Sequence, residues 1–163
     1  MNNIDKKHSL KELIIKINLL KKNGNLIVGF TNGCFDLLHK GHLYTLTEAK
    51  KRCDYLIVAI NSDTSVKLLK GNDRPFDSES VRLNKLSSIK DVDALIIFTE
   101  ETPLNIITRL LPNILFKGAD YKNKKVFGSE CVIKNGGKIE FIDILDGFST
   151  TEIIKNSSIQ SQI

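Results

Sequence analysis

Two of the three histidines in this 163-residue chain, His39 and His42, stand three residues apart around Gly41 and shortly after Asp36. They follow the run Thr31-Asn32-Gly33-Cys34-Phe35. Imidazole N–H groups can donate to phosphate oxygens, and glycine at 33 and 41 lets backbone amides approach the same anion. A helix starting beyond them would add the partial positive charge of its free amides. Such a set can hold a phosphate ester and stabilise charge that builds on it. Two histidines at this spacing can also bind zinc, but no third ligand accompanies them, and no metal site is expected.

Other groups carry less meaning alone. Lys70 and Arg74 read as solvated loop charges, Ser149-Thr150-Thr151 as the N-cap of a last helix, and Asp120 as a possible cap of the turn after Lys117-Gly118. Asn61, Asp63 and Asp36 are candidates for contacting a second substrate or for orienting the histidines.

The elements that must position these residues follow from apolar spacing. Ser9-Leu10-Lys11-Glu12 has the form of a capping box, and Leu10, Leu13, Ile14, Ile17 and Leu20 then make one helical face that stops near Gly24. Leu26 to Phe30 predicts a buried strand, and Leu43, Leu46, Ala49 and Cys53 predict a helix behind His42. Strands are expected at Tyr55 to Ile60, Ala94 to Phe98, Ile114 to Phe116 and Lys138 to Ile144. Helices are expected from Glu79 to Ile89, after a Thr102 cap with Pro103 as first residue, and from Gly128 to Lys134. Asn61 through Arg74-Pro75 reads as a polar connection. This alternation predicts an α/β fold, a Rossmann-like doubly wound parallel sheet of about five strands in a single domain. Ligands of such sheets sit at the carboxyl ends of the strands, where all the candidate residues fall. The expected organisation is a helical extension over residues 1–24 packed on the domain, the main domain over 25–156, and a polar tail over 157–163.

Composition narrows the setting. The chain is 41% hydrophobic and 26% charged, with no apolar run near the ~20 residues of a membrane span. Cys34, Cys53 and Cys131 form no CxxC pair, and the N-terminus shows no secretory h-region, so a cytoplasmic location is expected. The net charge of +5 comes without a continuous basic run interleaved with aromatics, so neither nucleic acid nor membrane is expected as a partner.

The pattern Gly33-x-Phe35-Asp36-x-x-His39-x-Gly41-His42 resembles the signature of the cytidylyltransferase-like nucleotidyltransferases. The resemblance continues through Asn61-Ser62-Asp63, Leu69-Lys70-Gly71, Arg74-Pro75, Lys117-Gly118-Ala119-Asp120-Tyr121, Asn135-Gly136-Gly137 and Asp146-Gly147-Phe148-Ser149-Thr150-Thr151. Within that family it is most similar to the adenylyltransferase domains that make ADP-heptose for envelope carbohydrate. The resemblance implies transfer of AMP from ATP to D-glycero-D-manno-heptose 1-phosphate with release of pyrophosphate. His39, His42 and Lys70 would be catalytic. Thr31, Asn32, Gly33, Cys34, Phe35, Gly41, Arg74, Lys117, Gly118, Asp120, Ser149, Thr150 and Thr151 would bind nucleotide. Asp36, Asn61 and Asp63 would face the acceptor. Mg²⁺ is implied with ATP, as is a homodimer. With no sugar-kinase segment in the sequence, a separate kinase is expected to supply the phosphorylated sugar. The alternative within the family is a cytidylyltransferase acting on glycerol 3-phosphate or a similar alcohol. Against it, Leu145-Asp146-Gly147-Phe148 stands where that branch carries Arg-Thr-x-Gly-Ile. Ala119 departs from the second glycine common in the family. A different class of reading is a nucleotide-binding module without catalysis.

Overall fold

In the computed structural model, which describes residues 6–145 and 147, β1 (Val28–Gly33) is the central strand of five. β2 (Tyr55–Asn61) and β3 (Ala94–Phe98) lie to one side, β4 (Ile114–Gly118) and β5 (Lys138–Ile142) to the other. The order is β3-β2-β1-β4-β5, and every pairing is parallel. The doubly wound sheet expected from the alternation is therefore present. Side chains alternate across β2: Ile57 and Ala59 enter one core, Leu56, Val58 and Ile60 the other. Both faces are buried, which explains why the strands read as continuous apolar runs rather than alternating ones.

The first core is covered by α1 (Leu10–Lys22), through Leu13 and Ile17, together with α5 (Leu104–Leu110) and α6 (Ser129–Lys134). The Ser9 and Glu12 capping box is formed as the sequence predicts. Just before it, Lys7 bridges to Leu95 of β3, and the His8 N–H donates to the Leu95 carbonyl at 2.9 Å. The second core is covered by α2 (Lys40–Lys50), through Leu46 and Ala49, and by α4 (Glu79–Ser87), through Leu86. Gly29 is required where β1 crosses this core, since a Cβ there would stand 2.6 Å from Cys53 Sγ and 2.7 Å from Phe116 Cε2.

One expectation is corrected. The connection read as polar from Asn61 to Pro75 contains α3 (Asp63–Lys70), capped by Ser62, whose hydroxyl accepts from the Ser65 N–H. Only Ser65 and Val66 of this helix are buried, and Leu68 and Leu69 are exposed, so there is too little apolar periodicity to reveal it. Smaller shifts occur at boundaries: β1 and β4 run on to Gly33 and Gly118, β5 stops at Ile142, and Pro103 rather than Thr102 holds the cap position of α5. Among the described residues, no helix is long and apolar enough to cross a membrane.

Candidate active site

β1 and β4 are paired only at Gly29 with Ile114 and Phe30 with Leu115. Beyond these positions the two strands are not paired, where the winding of the sheet reverses, and a crevice forms at their carboxyl ends. A cleft of about 440 Å³ there is lined by Thr31, Asn32, Gly33, Cys34, Phe35, His39, Gly41, His42, Lys70, Lys117, Gly118 and Asp120, with Thr45, Tyr121 and Ile144. Residues from four separate stretches, read as candidates one by one, thus share one cavity.

The histidines are set by the start of α2. His39 holds its N-cap position, and the His39 backbone N–H donates to Nδ1 of His42 at 3.3 Å. With Nδ1 accepting, the proton of the neutral His42 ring belongs on Nε2. The two rings stack at 3.8 Å between centroids, and Phe35 lies against His42 at 5.2 Å. Burial, then the nearby His39 and Lys70, pushes His42 down to about 3. Burial also lowers His39. Both rings are therefore neutral donors at neutral pH. Nδ1 of His39 is buried and has no hydrogen-bond partner among the described residues. Phe35 and Leu37 adopt positive φ values of 50° and 53°, so the turn that delivers the histidines is bent by non-glycine residues.

Lys117 spans the split between the strands, with Nζ 2.6 Å from Asn32 Oδ1 and 5.0 Å from the Tyr121 ring centre. Burial lowers it to about 8, while Asp120 acts in the opposite sense. A half-buried ammonium without a hydrogen-bonded carboxylate is a ready partner for an anion. Gly118 lies so close to Asp120 that a Cβ would meet Oδ1 at 2.6 Å. Asp120 itself is exposed, 3.4 Å from Lys124. Lys70 is the last residue of α3 and is exposed, at a helix end rather than on a loop. The thiol of Cys34 is raised by burial, which keeps it protonated, so it is no nucleophile.

Of the three residues weighed for contacting an acceptor or for orienting the histidines, Asp36 lines this cleft and Asn61 lines an adjoining one, and all three have protein partners. The buried Asp36 carboxylate accepts from Arg74 Nε at 2.6 Å and from the backbone N–H groups of Phe76 and Asp77 at 3.0 to 3.1 Å. Burial pushes this carboxyl up, but the N–H groups and the Arg74 guanidinium outweigh it and hold it below the usual range. Asp36 therefore fastens residues 74–77 to the histidine turn; Arg74 shares the contact through Nε, while its Nη2 is buried with no hydrogen-bond partner among the described residues. Asp63 pairs with Arg82 at 2.8 Å, and the Asn61 amide donates to Ser65 Oγ at 2.9 Å. Ser149, Thr150 and Thr151 lie outside the described residues.

Arg82 is the residue that reading the sequence missed. Its side chain is fully buried, and its guanidinium donates to the carbonyls of Cys34 (2.6 Å), Asn61 (2.7 Å) and Asp77 (3.0 Å) and to Asp63. It ties the end of β1 to the end of β2 and to the residues leading into α4. A signal was present: four residues before Leu86 and seven before Ile89, Arg82 occupies the inward stripe of its helix, where a solvated cation would not be placed.

A second cavity of about 400 Å³ adjoins the first and shares Asn32, Gly33, Cys34, Lys70, Lys117 and Tyr121 with it. It extends over Glu101 and Thr102, after β3, and Lys125 and Phe127, before α6. None of these four was singled out for chemistry, because nothing local joins positions so far apart.

Comparison with known proteins agrees with this geometry. The chain is 52% identical over 132 residues to the bifunctional protein HldE of Nitrobacter winogradskyi, and 52% identical over 129 residues to that of Rhodospirillum rubrum. These matches cover 81% and 79% of this chain but only 27% and 26% of the relatives, so the chain spans about a quarter of their length. Among solved structures, it resembles a lipopolysaccharide core biosynthesis protein from Thermoplasma volcanium, with 29% identity and a TM-score of 0.59 over 74% of this chain and 98% of that one. The fold alone is shared with a pantoate-beta-alanine ligase from Francisella tularensis, at 18% identity and a TM-score of 0.59 over 95% of this chain and 77% of that one. The family model described as cytidylyltransferase-like matches residues 30–156, and the chain belongs to that family.

Proposed function

We propose that the protein is a nucleotidyltransferase that transfers AMP from ATP to D-glycero-D-manno-heptose 1-phosphate, giving ADP-heptose and pyrophosphate. The observation that carries this reading is the crevice between β1 and β4, where two neutral histidines, Lys70 and Lys117 line one cleft. The likeness to the HldE proteins and to a lipopolysaccharide core biosynthesis protein favours a heptose phosphate as acceptor.

In the proposed step, a phosphate oxygen of the sugar 1-phosphate attacks the α-phosphorus of ATP. A new P–O bond forms, the bond from the α-phosphorus to the bridging oxygen breaks, and pyrophosphate leaves with that electron pair. A phosphate monoester is anionic at neutral pH, so this nucleophile needs no protein base. The barrier is electrostatic, and the protein's task is to aim donors at the α-phosphate oxygens before charge builds there. His42, whose neutral form carries its proton on Nε2, and His39 fill that role. Lys70 offsets triphosphate charge, and Gly118 and Asp120 line the nucleoside end. Ser149 to Thr151 are assigned to the β- and γ-phosphates by resemblance alone. Arg82, Asp36 and Arg74 act on position: they hold the strand ends and the histidine turn in register.

The Mg²⁺ implied with ATP would neutralise phosphate charge. Among the described residues no group of three or more potential ligands converges, and Asp36 and Asp63 are committed to Arg74 and Arg82. These residues do not form a protein cage, and the ion is assigned to the phosphates and water. A homodimer belongs to the same proposal, and light scattering tests it.

The deciding experiment is pyrophosphate release with ATP or CTP against heptose 1-phosphate and glycerol 3-phosphate. Release with ATP and heptose 1-phosphate alone is expected. Preference for CTP and glycerol 3-phosphate would replace the reading with the cytidylyltransferase one, and no release with any pair would leave a binding module.

A further inference from the structure

α3 is held to the domain mainly over its first turn. Ser65 and Val66 are its buried residues, whereas Lys67, Leu68, Leu69 and Lys70 are all exposed. Lys70, at the far end, nevertheless stands on the wall that the histidine-lined cleft shares with the second lobe beside it. Its charge is felt by His42 and Cys34 inside. The ammonium therefore owes its place to contacts made more than a turn earlier in the helix.

Ser65 is the centre of those contacts and is 1% exposed. Its hydroxyl accepts from the Asn61 amide at 2.9 Å and donates to the Glu100 carbonyl at 3.2 Å. Asn61 Oδ1 in turn accepts from the Cys34 thiol at 3.7 Å. One hydroxyl thus joins α3 to the last residue of β2 and to the chain leaving β3, with the end of β1 attached through Cys34. Val66 packs the helix down, but apolar contact is not directional. Asp63 ties the same helix to α4 instead, through Arg82 and, by its N–H, through Glu79 at 3.1 Å. The Ser65 bonds have direction, and a helix carries that direction on to Lys70, about 7.5 Å further along at ~1.5 Å per residue.

Resting on the nucleotide reading of the cleft, we propose that Ser65 is a positioning residue: with Asn61 and Glu100 it sets the tilt of α3 and so aims Lys70 at the phosphates of a bound nucleoside triphosphate. Ser65 itself touches no substrate and acts through Lys70 alone.

The test is a double-mutant cycle on the intact protein, read by calorimetric titration of a non-hydrolysable ATP analogue. The variants are Ser65→Ala, Lys70→Ala and the pair together. Thr64→Ala, at an exposed neighbour on the same helix, controls for the added alanine. Amide hydrogen exchange over residues 66–71 is followed without ligand. Ser65→Ala is expected to weaken the analogue about fivefold, a loss on the scale of one hydrogen bond, and to speed exchange over 66–71 relative to Thr64→Ala. In the Lys70→Ala background the same change should cost less than twofold, because the group it aims is already gone. Equal loss in both backgrounds makes Ser65 a purely structural residue and overturns the assignment, as does unchanged affinity or unchanged exchange in Ser65→Ala. The cycle is read in binding, so the expected coupling supports the assignment even if no pyrophosphate is ever released. Failure of the unmodified protein to bind the analogue overturns the nucleotide reading and the aiming of Lys70 together, a result distinct from a cycle without coupling.

Discussion

His42 combines two properties that usually conflict, burial and a hydrogen-bonding task. Its ring stays neutral because burial, His39 and Lys70 all oppose a proton, which makes it a donor whose state does not change near neutrality. Replacing His42 or His39 with alanine should lower turnover by about 10²–10³, the usual loss for one oxyanion donor, with an unchanged circular dichroism spectrum. The same depression has a cost in acid. As pH falls below about 6.5, the unfolded chain takes up a proton at this position that the folded chain resists down to about 3, so stability declines across that window. Thermal melts at pH 7 and pH 5 should therefore show a smaller loss for His42→Asn than for the unmodified protein. Lys117 behaves in the opposite region. Folded and unliganded, it loses its charge near pH 8, so affinity for a phosphorylated ligand should weaken as pH rises through 8. Lys117→Met should flatten that dependence, as read from dissociation constants between pH 7 and 9.

At the scale of the element, the site depends on how strand ends are tied together. Arg82 reaches two strand-end carbonyls, the Asp77 carbonyl and the Asp63 carboxylate from one guanidinium. Arg82→Met strands the three carbonyls, and a loss of about 3 kcal/mol is expected, at about 1 kcal/mol each, the low end of the ~1–3 kcal/mol for a buried acceptor left unpaired. At about 2–4 °C per kcal/mol for a chain of this size, the melting temperature should fall by roughly 10 °C. Arg82→Lys should not restore it, since one ammonium cannot span the fork. This tie also marks where reading the sequence stopped. His39 and His42 were legible because glycine, acid and histidines crowd one short window at a strand-to-helix turn. Asp36, in that same window, is legible as a candidate for a substrate contact or for orienting the histidines, but its partners lie some forty residues on, at Arg74, Phe76 and Asp77. Nothing within the window encodes that contact. Lys117 was legible as a cation but not as a half-buried one, because its burial comes from the way β4 parts from β1.

For the molecule as a whole, the apolar runs and their alternation with helices were enough to foretell the sheet and its winding. The strand order then follows from right-handed crossovers and the reversal at β1 and β4. What periodicity could not foretell was α3, with little apolar face, or the second lobe, assembled from Glu101, Thr102, Lys125 and Phe127. The contact of Lys7 and His8 with Leu95 has a consequence at this scale. β3 is a border strand of the sheet, and its outward backbone groups would otherwise invite a strand from another molecule. The far border, β5, is guarded differently, by the charges of Lys138 and Glu140, which pair at 2.6 Å. Removing residues 1–8 should leave the histidine-lined cleft intact yet uncover the β3 border, with light scattering rising on mild heating well before that of the full chain. The short stretch before α1 thus covers a sheet border that would otherwise be open to another strand, and that cover is separable from the histidine-lined cleft.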